Sequence, residues 1–243
     1  MVRLSIVIPA RNEAGNIIAL VEAIDRALQA HAPVEIIVVD DGSTDDSVAR
    51  LIARALTLPQ LRVVRHEVSG GQSAAVHSGV LAASAPIVLT LDGDGQNPPE
   101  ELPKLAAPLL ADTTGRIGLV AGQRVGRQDT WSKKLASRFA NALRGWLLKD
   151  GTRDTGCGLK GFRRDAFLAL PYFDHMHRYL PALFARDGWQ VAHVDVTHRA
   201  RGAGRSNYSN LQRGLVGIVD LLGVAWLLRR RKKVKPLAEE ENV

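Results

Sequence analysis

Short runs of β-branched and other apolar residues alternate along the chain with segments whose apolar residues recur at helical spacing. The runs predict four strands, at residues 4–9, 34–39, 61–64 and 87–91. The intervening segments predict helices over residues 16–29, 43–55 and 72–83, the second with a capped start at Ser43-Thr44-Asp45-Asp46. This alternation predicts an α/β fold, in which helices cover both faces of a mostly parallel sheet.

Polar clusters follow three of the four predicted strands. They are Pro-Ala-Arg-Asn-Glu at residues 9–13, Asp-Asp-Gly-Ser at 40–43 and Asp-Gly-Asp-Gly-Gln at 92–96. Ligands of open α/β sheets bind beyond the carboxyl ends of the strands. We therefore expect the three clusters to meet at one rim of the sheet.

The third cluster carries the most pointed chemistry. Period-two geometry at a strand end predicts that Asp92, Asp94 and Gln96 share one side. Hard oxygen ligands of this kind suit Mg²⁺ or Mn²⁺, and a cation with few protein ligands keeps positions open for substrate phosphates. The segment thus indicates a metal-bound nucleotide diphosphate. The alternative is a solvated turn, because Asp-Gly pairs commonly form turns.

The second half of the chain has a different pattern. A polar stretch at residues 123–134 precedes a predicted helix that runs to about residue 148, and a Gly-rich segment follows at 151–161. We expect this half to shape the site of a second substrate. The sequence shows neither an internal repeat nor a low-complexity linker, so it does not require two independent domains.

Composition and charge narrow the class of protein. The chain has 243 residues, a formal net charge of +7 and one cysteine, Cys157, which cannot form an internal disulfide and fits a reducing compartment. The first apolar run is too short for a signal-peptide core, so a cytoplasmic catalytic part is expected. Much of the basic charge is a cluster at residues 229–235, without the interleaved aromatics of nucleic-acid binders, and we expect no nucleic-acid partner.

An apolar segment at residues 214–228, interrupted by Asp220, precedes this basic cluster. As a helix it measures ~22 Å, which is short of a ~30 Å hydrocarbon core. It predicts a helix that lies at a membrane surface, or that dips into the membrane and pairs with neighbours, and the basic cluster attracts anionic lipid there. The alternative is a helix in the core or at the interface of a homo-oligomer. Residues 236–243 are predicted to be disordered.

Taken together, residues 7–13, 38–45 and 91–98 resemble the nucleotide-sugar half of family 2 glycosyltransferases with the GT-A fold. Residues 154–160 (Asp-Thr-Gly-Cys-Gly-Leu-Lys) resemble the Asp-x-x-Ser-Gly-Phe-Arg segment of the polyprenyl-phosphate branch, whose familiar member is dolichyl-phosphate mannose synthase; residues 176–183 are also similar to that branch. Residues 201–208 resemble its Arg-x-x-Gly-x-Ser-Lys-Tyr, with Asn207 in place of lysine.

The resemblance implies an inverting transfer of a sugar from a nucleotide diphosphate to a polyprenyl phosphate at the cytoplasmic face of the membrane. It divides the chain into a GT-A catalytic domain at 1–210, with a donor half at 1–125 and an acceptor half at 126–210, followed by a membrane-associating segment at 211–235. A transfer to the hydroxyl of a glycan or small molecule, and a nucleotide-sugar sensor without turnover, are the competing hypotheses.

The resemblance also implies roles on the donor side. Asp92 and Asp94 engage nucleotide and metal, Gln96 completes the coordination of Mg²⁺ or Mn²⁺, and Asp41 hydrogen-bonds the nucleotide base. Four residues line the base pocket: Pro9, Ala10, Arg11 and Glu13. As alternatives, Asp40 or Asp41 caps a helix, and Arg11 and Glu13 are solvated surface charges.

On the acceptor side, a phosphate monoester with a second pKa near ~6 is already ionised at neutral pH, so it needs positioning cations and no general base. Arg201 is the first candidate for such a positioning cation, and we expect it to contribute to catalysis. The further candidates for acceptor phosphate or sugar are Arg124, Arg127, Lys133, Asp154, His177, Arg199 and Ser206. An ion pair with Arg153 or Arg163 would explain Asp154 equally well, and a structural role would explain His177.

Overall fold

The computed structural model describes residues 2–125, 144–145, 147–148, 150–199 and 210–230. Within them, one sheet holds the strands β1 (Leu4–Ala10), β2 (Val34–Asp41), β3 (Leu61–His66), β4 (Ile87–Thr90), β5 (Ile117–Arg124), β6 (Lys160–Arg163) and β7 (Gln190–Val196). The helices are α1 (Ile17–Ala27), α2 (Ser47–Ala55), α3 (Gly71–Ala82), α4 (Leu102–Ala111), α5 (Arg164–Leu168), α6 (Leu180–Arg186) and α7 (Asn210–Arg229).

The spatial order of the strands is β3-β2-β1-β4-β6-β5-β7. Neighbouring strands pair in parallel, except that β6 runs antiparallel to both β4 and β5. The predicted α/β fold with a mostly parallel sheet is confirmed, and each of the four predicted strands is present. Strands from the second half, β6 and β7, belong to the same sheet as those of the first.

Alternate residues of the central strands face two separate apolar layers, as the two-residue period of a strand requires. Ile6, Ile36 and Val38 face the layer that includes α1 and α4. Val7 and Ile37 face the layer that includes α3, α5 and α6. Because both faces are covered, the strands read as continuous apolar runs instead of alternating ones.

Helix α3 lies unusually close to the sheet. A Cβ built on Gly79 would come within 2.3 Å of Val7 Cγ1 and 3.0 Å of Val39 Cγ2. The glycine therefore lets the helix backbone rest on β1 and β2, and it fixes the position of the helix start at the site rim.

Over residues 217–229, whose side chains the structure describes, helix α7 contacts the body of the protein along one side. Val224 and Ala225 are buried in the layer that contains α6, and Arg186 Nε donates a hydrogen bond of 3.2 Å to the Leu227 carbonyl. Its other side exposes Ile218, Val219, Leu222 and Trp226 by 59%, 70%, 61% and 61%. None of the described helices has the length and hydrophobicity that crossing a membrane requires.

At the amino-terminal ends of the parallel strands, away from the predicted site, a buried carboxylate ties three elements together. Glu35 on β2 accepts hydrogen bonds from Ser5 Oγ (2.6 Å), from the Ser84 backbone amide (2.6 Å) and from Arg62. Burial acts to raise the pKa of Glu35, yet these hydrogen bonds lower it to about 2. Its ionised form is therefore stabilised by folding.

Glu35→Gln is expected to remove stability that depends on pH. Because the folded pKa lies below the ordinary value of 4.5, the ionised carboxylate stabilises the wild type above about pH 4.5, and the contribution disappears as the pH falls toward 2. Urea unfolding should show a loss of up to about 3 kcal/mol in the variant at pH 7 and a smaller difference at pH 3. The exposed Glu67→Gln serves as control; an equal loss at both pH values would contradict the assignment.

Candidate active site

The loops after β1, β2 and β4 meet at one rim of the sheet, as the sequence predicts. The Asn12 amide donates to Ser43 Oγ (2.9 Å), and the Thr44 amide donates to Asn12 Oδ1 (2.8 Å). Asn12 has a left-handed backbone with φ 56°, which an asparagine adopts more readily than most residues. The turn after β4 lies against the end of β1, since a Cβ on Gly93 would be 3.0 Å from the Pro9 carbonyl oxygen.

The residues predicted to line the base pocket at this rim differ in their exposure and in their contacts. Ala10 is buried at the end of β1, Arg11 is exposed, and Glu13 Oε2 accepts a hydrogen bond of 2.9 Å from Asn16 Nδ2. The Glu13 backbone amide donates to Ser47 Oγ, which joins the loop to the start of α2. These contacts hold the loop backbone in place and leave the Arg11 side chain facing solvent.

Asp41 has a structural task in addition to its predicted one. Its carboxylate accepts hydrogen bonds from His66 Nδ1 (2.8 Å), Ser69 Oγ (2.6 Å) and the backbone amides of Gly70 (2.8 Å) and Gly71 (2.9 Å). Burial acts to raise the pKa of Asp41, but these hydrogen bonds hold it below its ordinary value. The residue thus anchors the start of α3, whereas the sequence alternative was a cap on the helix that follows β2.

The neighbouring Asp40 differs from Asp41 in that one of its carboxylate oxygens has no hydrogen-bond partner. Asp40 is buried and its Oδ2 accepts a hydrogen bond of 3.3 Å from the Ser43 amide, but its Oδ1 is buried without a hydrogen-bond partner. Buried acceptors are nearly always paired. An unpaired carboxylate oxygen at this rim is therefore suited to accept a donor from a bound molecule.

Asp92 is held tightly between the two halves of the chain. Gln72 Nε2 donates to its Oδ1 (2.7 Å) and Asn97 Nδ2 donates to its Oδ2 (3.1 Å). A Cβ on Gly158 would lie 2.3 Å from Asp92 Oδ2, so a side chain at this position would displace the Asp92 carboxylate. Burial, and then the nearby carboxylate of Asp94, raise the pKa of Asp92.

Asp94 and Gln96 lie in a turn, and here the structure corrects the sequence argument. Strand β4 ends at Thr90 and not at Leu91, so the pleat of a strand does not set the directions of the three side chains. The Gln96 backbone amide instead donates a hydrogen bond to Asp94 Oδ1 (3.1 Å), and Gly95 has φ 74°. Among the described residues no three His, Cys, Asp or Glu side chains are placed to hold a metal, so the candidate donors are two carboxylates and one carboxamide.

This donor set fits a hard divalent cation by its chemistry. All three groups offer oxygen, and the two carboxylates are close enough for Asp94 to raise the pKa of Asp92. Mutual repulsion of this kind is relieved when a cation is bound between the carboxylates.

A cavity of about 320 Å³ opens beside Asp92, and we name it the rim cavity. Its polar lining includes Gln72, Asp92, Lys160, His177 and Arg178. His177 Nδ1 lies 2.7 Å from Ser73 Oγ, and burial together with the neighbouring cations holds its pKa well below the ordinary value, so the imidazole is neutral. Lys160 is buried and donates to the Cys157 carbonyl, and burial lowers its pKa.

Two predicted acceptor residues pair with each other. Arg124 Nε and Nη2 donate to the two carboxylate oxygens of Asp154, at 2.5 and 2.9 Å. The alternative ion pairs were wrong, because Arg153 pairs with Asp195 and Arg163 pairs with Asp112. The hydrogen bonds with Asp154 raise the pKa of Arg124, so the pair is a fixed feature of the acceptor side.

The structure describes only some of the other residues that were predicted on the acceptor side. Arg199 donates to Glu100 at the surface, and its backbone amide donates to the Gln96 carbonyl (2.9 Å), which ties the segment after β7 to the acidic turn. Arg127, Lys133, Arg201 and Ser206 lie outside the described residues.

Sequence reasoning did not single out several residues of this site. The structure adds Gln72, Ser73, Asn97, Gly158 and Lys160, and it gives Asp40, considered from the sequence only as a helix cap, an unpaired oxygen at the rim. Gly158 and Lys160 belong to the segment at 154–160, whose resemblance to a known motif was the available signal.

The fold and the acidic rim define a GT-A glycosyltransferase. The chain belongs to glycosyl transferase family 2, whose profile matches residues 5–170. It is 33% identical over 236 residues to dodecaprenyl-phosphate galacturonate synthase of Rhizobium johnstonii, covering 95% of this chain and 68% of that protein. It is 35% identical over 223 residues to undecaprenyl-phosphate 4-deoxy-4-formamido-L-arabinose transferase of Sodalis glossinidius, covering 90% of this chain and 65% of that protein. The chain spans about two thirds of the length of these relatives.

Solved structures agree on the fold. Glucosyl-3-phosphoglycerate synthase from Mycobacterium tuberculosis, in complex with Mn²⁺, UDP and phosphoglyceric acid, superposes with a TM-score of 0.69 at 26% sequence identity. The match covers 92% of this chain and 78% of that chain. A complex of the same synthase with Mg²⁺ and UDP gives a TM-score of 0.70 at 23% identity.

Gly158→Ala is expected to weaken binding of Mn²⁺ in the presence of UDP about tenfold or more, because the new methyl group displaces the Asp92 carboxylate. Calorimetric titration of the purified protein measures the affinity. Gly15→Ala, where no heavy atom lies within 4 Å of the new Cβ, is the matched control. An unchanged Mn²⁺ affinity in Gly158→Ala would show that Asp92 takes no part in the metal site.

Proposed function

We propose that the protein transfers a sugar from a uridine diphosphate donor to a polyprenyl phosphate at the inner face of the cell membrane, with inversion at the anomeric carbon. The observation that carries this proposal is the similarity, over 90% or more of the chain, to two enzymes whose names specify polyprenyl-phosphate acceptors but different sugars. The uridine nucleotide is supported by the UDP-bound structure at 26% identity.

On the donor side, Asp92, Asp94 and Gln96 would hold Mg²⁺ or Mn²⁺. The bound ion supplies electrostatic stabilisation of the departing nucleotide diphosphate. Gln72 and Asn97 orient the Asp92 carboxylate through their amide hydrogen bonds. Asp41 and the Pro9–Glu13 loop, with Pro9, Ala10, Arg11 and Glu13, surround the base, and the unpaired Oδ1 of Asp40 adds a hydrogen-bond acceptor beside them.

The chemical step is a displacement at the anomeric carbon. The bond from this carbon to the β-phosphate oxygen breaks, and its electron pair leaves with the nucleotide diphosphate. An oxygen of the acceptor phosphate forms the new bond from the opposite face, which inverts the centre. The acceptor oxygen is already ionised, so no proton has to be removed.

Cations on the acceptor side would position the second anionic substrate. Bidentate guanidinium groups are well suited to phosphate oxygens. The proposed set is Arg124, Arg127, Lys133, Arg199 and Arg201, assisted by Ser206, with Asp154 fixing Arg124 and with His177 facing the sugar.

A second candidate is transfer to the hydroxyl of a small phosphorylated acceptor. The similarity to a synthase crystallised with phosphoglyceric acid favours it. Purified protein with Mn²⁺, a panel of UDP-sugars and either a short polyprenyl phosphate or 3-phosphoglycerate distinguishes the two. A lipid-linked product supports the first proposal; a product formed from phosphoglycerate alone supports the second; tight UDP-sugar binding without either product indicates a sensor.

Asp94→Ala is expected to lower kcat/KM at least about 100-fold, because the loss of one metal ligand removes several kcal/mol of transition-state stabilisation. The fold should stay intact, since the residue lies on the rim outside both apolar layers. Turnover is measured with saturating Mn²⁺, and circular dichroism checks the fold. Asp165→Ala, whose side chain is 97% exposed on α5, provides the control. Unchanged turnover at saturating Mn²⁺ would remove Asp94 from the metal site.

We propose that the protein acts at the membrane surface and that α7 is the part of the protein that contacts the bilayer. Its exposed apolar residues lie next to Arg229 and Arg230, and the guanidinium of Arg230 is 5.9 Å from the Trp226 ring centre. Apolar side chains flanked by cations are typical of helices that lie on anionic bilayers.

The double variant Leu222→Ser and Trp226→Ser is expected to weaken binding to vesicles that contain about 30% anionic lipid by tenfold or more, because each side chain loses at least ~1.5 kcal/mol of apolar burial. Co-sedimentation measures the bound fraction. Leu56→Ser with Leu81→Ser, also exposed by more than half, controls for a general loss of surface hydrophobicity. Equal binding by both double variants would reject α7 as the contact.

A further inference from the structure

The rim cavity has an unbalanced set of charges. Its lining residues include two cations, Lys160 and Arg178, but among them Asp92 is the only acid. The Asp92 carboxylate is already engaged by Gln72 and Asn97. His177, the remaining basic residue of the lining, is neutral. The cavity therefore offers positive charge that this lining does not neutralise.

Lys160 is the more unusual of the two cations. It is only 5% exposed, and its ammonium donates a hydrogen bond to the Cys157 carbonyl. No carboxylate among the described residues forms an ion pair with Lys160 or with Arg178. An ammonium has three N–H donors, and burying a lysine is costly unless an anion or several acceptors receive them. The Lys160 ammonium is therefore placed to pair with a bound anion.

The size and place of the cavity identify the part of the substrate that it receives. Its volume of about 320 Å³ is at the lower end of small-molecule pockets, which span roughly 300–1,000 Å³. It lies beside Asp92 and next to the turn that carries Asp94, where the proposed function places the diphosphate. The group attached to the diphosphate at that point is the sugar.

We infer that the rim cavity receives the transferred sugar and that Lys160 and Arg178 select a sugar bearing a carboxylate, a hexuronate. This inference rests on the proposed function for the position of the diphosphate. The diphosphate itself is held at the metal turn, and the hydroxyls of a neutral sugar would leave the lining with two cations against the single carboxylate of Asp92. A carboxylate at C6 supplies the missing negative charge and two acceptor oxygens.

The test compares donors that differ only at C6. Binding of UDP-glucuronate against UDP-glucose, and of UDP-galacturonate against UDP-galactose, is measured by calorimetry with Mn²⁺ and without acceptor. One uronate should bind at least about tenfold more tightly than its neutral partner, because hydrogen bonds between charged groups are the strong ones. Lys160→Met should remove most of this preference, measured as the ratio of the uronate affinity to the affinity for its neutral partner.

Three further variants make the outcome decisive. Lys160→Arg keeps the charge and should retain part of the preference, whereas Arg178→Gln should reduce it. Lys104→Met, a surface lysine paired with Glu101 on α4, is the matched control and should behave as wild type. If Lys160→Met does not fold, the comparison of Arg178→Gln with wild type still decides. Equal binding of uronates and neutral donors by the wild type would overturn the inference.

The failure of this inference can be told apart from failure of the proposed function. Selective uronate binding without any lipid-linked product would keep the sugar assignment and overturn the acceptor. Lipid-linked product formed equally well from neutral donors would overturn the sugar assignment alone. Absence of binding by all four donors would overturn both.

Discussion

The close approach of the Asp92 carboxylate to the backbone of residue 158 is the constraint on which the site depends. The acid follows β4, in the first half of the chain, and the glycine precedes β6, in the second half. Thr90 Oγ1 donates a hydrogen bond of 2.9 Å to the Gly158 carbonyl, and β4 pairs directly with β6. The antiparallel insertion of β6 into a parallel sheet thus brings the segment at 154–160 to the acidic rim. Any side chain at residue 158 would push the acid away from its two amide partners.

Carboxylates at this rim perform two different tasks, and their environments separate them. Asp41 receives four hydrogen bonds, and its pKa lies below the ordinary value, as expected for an acid that anchors a helix start. Asp92 is half-buried near a second acid, and its pKa is raised by desolvation and by that acid. A raised pKa from burial and like charge marks an acid whose ionised form gains from a cation. The contrast supports Asp92, and not Asp41, as the residue that works with a metal.

The sequence was sufficient for the fold of the first half and for the meeting of the three polar clusters at one rim, because strand runs and polar strand ends are local patterns. It was insufficient for what depends on contacts distant in the chain. The partner of Asp154 is Arg124, thirty residues away, and not the nearby Arg153 or Arg163. The task of Gln72 follows from the position of α3 beside Asp92, and the place of Lys160 follows from the pairing of β4 with β6; no local pattern encodes either. The directions of the side chains at residues 92–96 were predicted from strand geometry. The structure instead has a turn there, in which Asp94 Oδ1 accepts a hydrogen bond from the Gln96 backbone amide.

Helix α7 and the rim cavity are connected by one segment of the chain. His177 and Arg178, which line the cavity, belong to the 3₁₀ turn Met176–Arg178. On either side of this turn, His175 Nδ1 lies 3.1 Å from Asp220 Oδ2, and Tyr179 Oη donates to the Gly217 carbonyl at 3.4 Å. Asp220, the acid that interrupts the apolar segment of α7, is therefore directed inward toward the cavity wall and away from the exposed stripe. A polyprenyl phosphate has its phosphate at the membrane surface and its chain in the bilayer. With α7 on that surface, as we propose, the helix that supports the cavity wall would bring the proposed sugar site to the level of the acceptor phosphate.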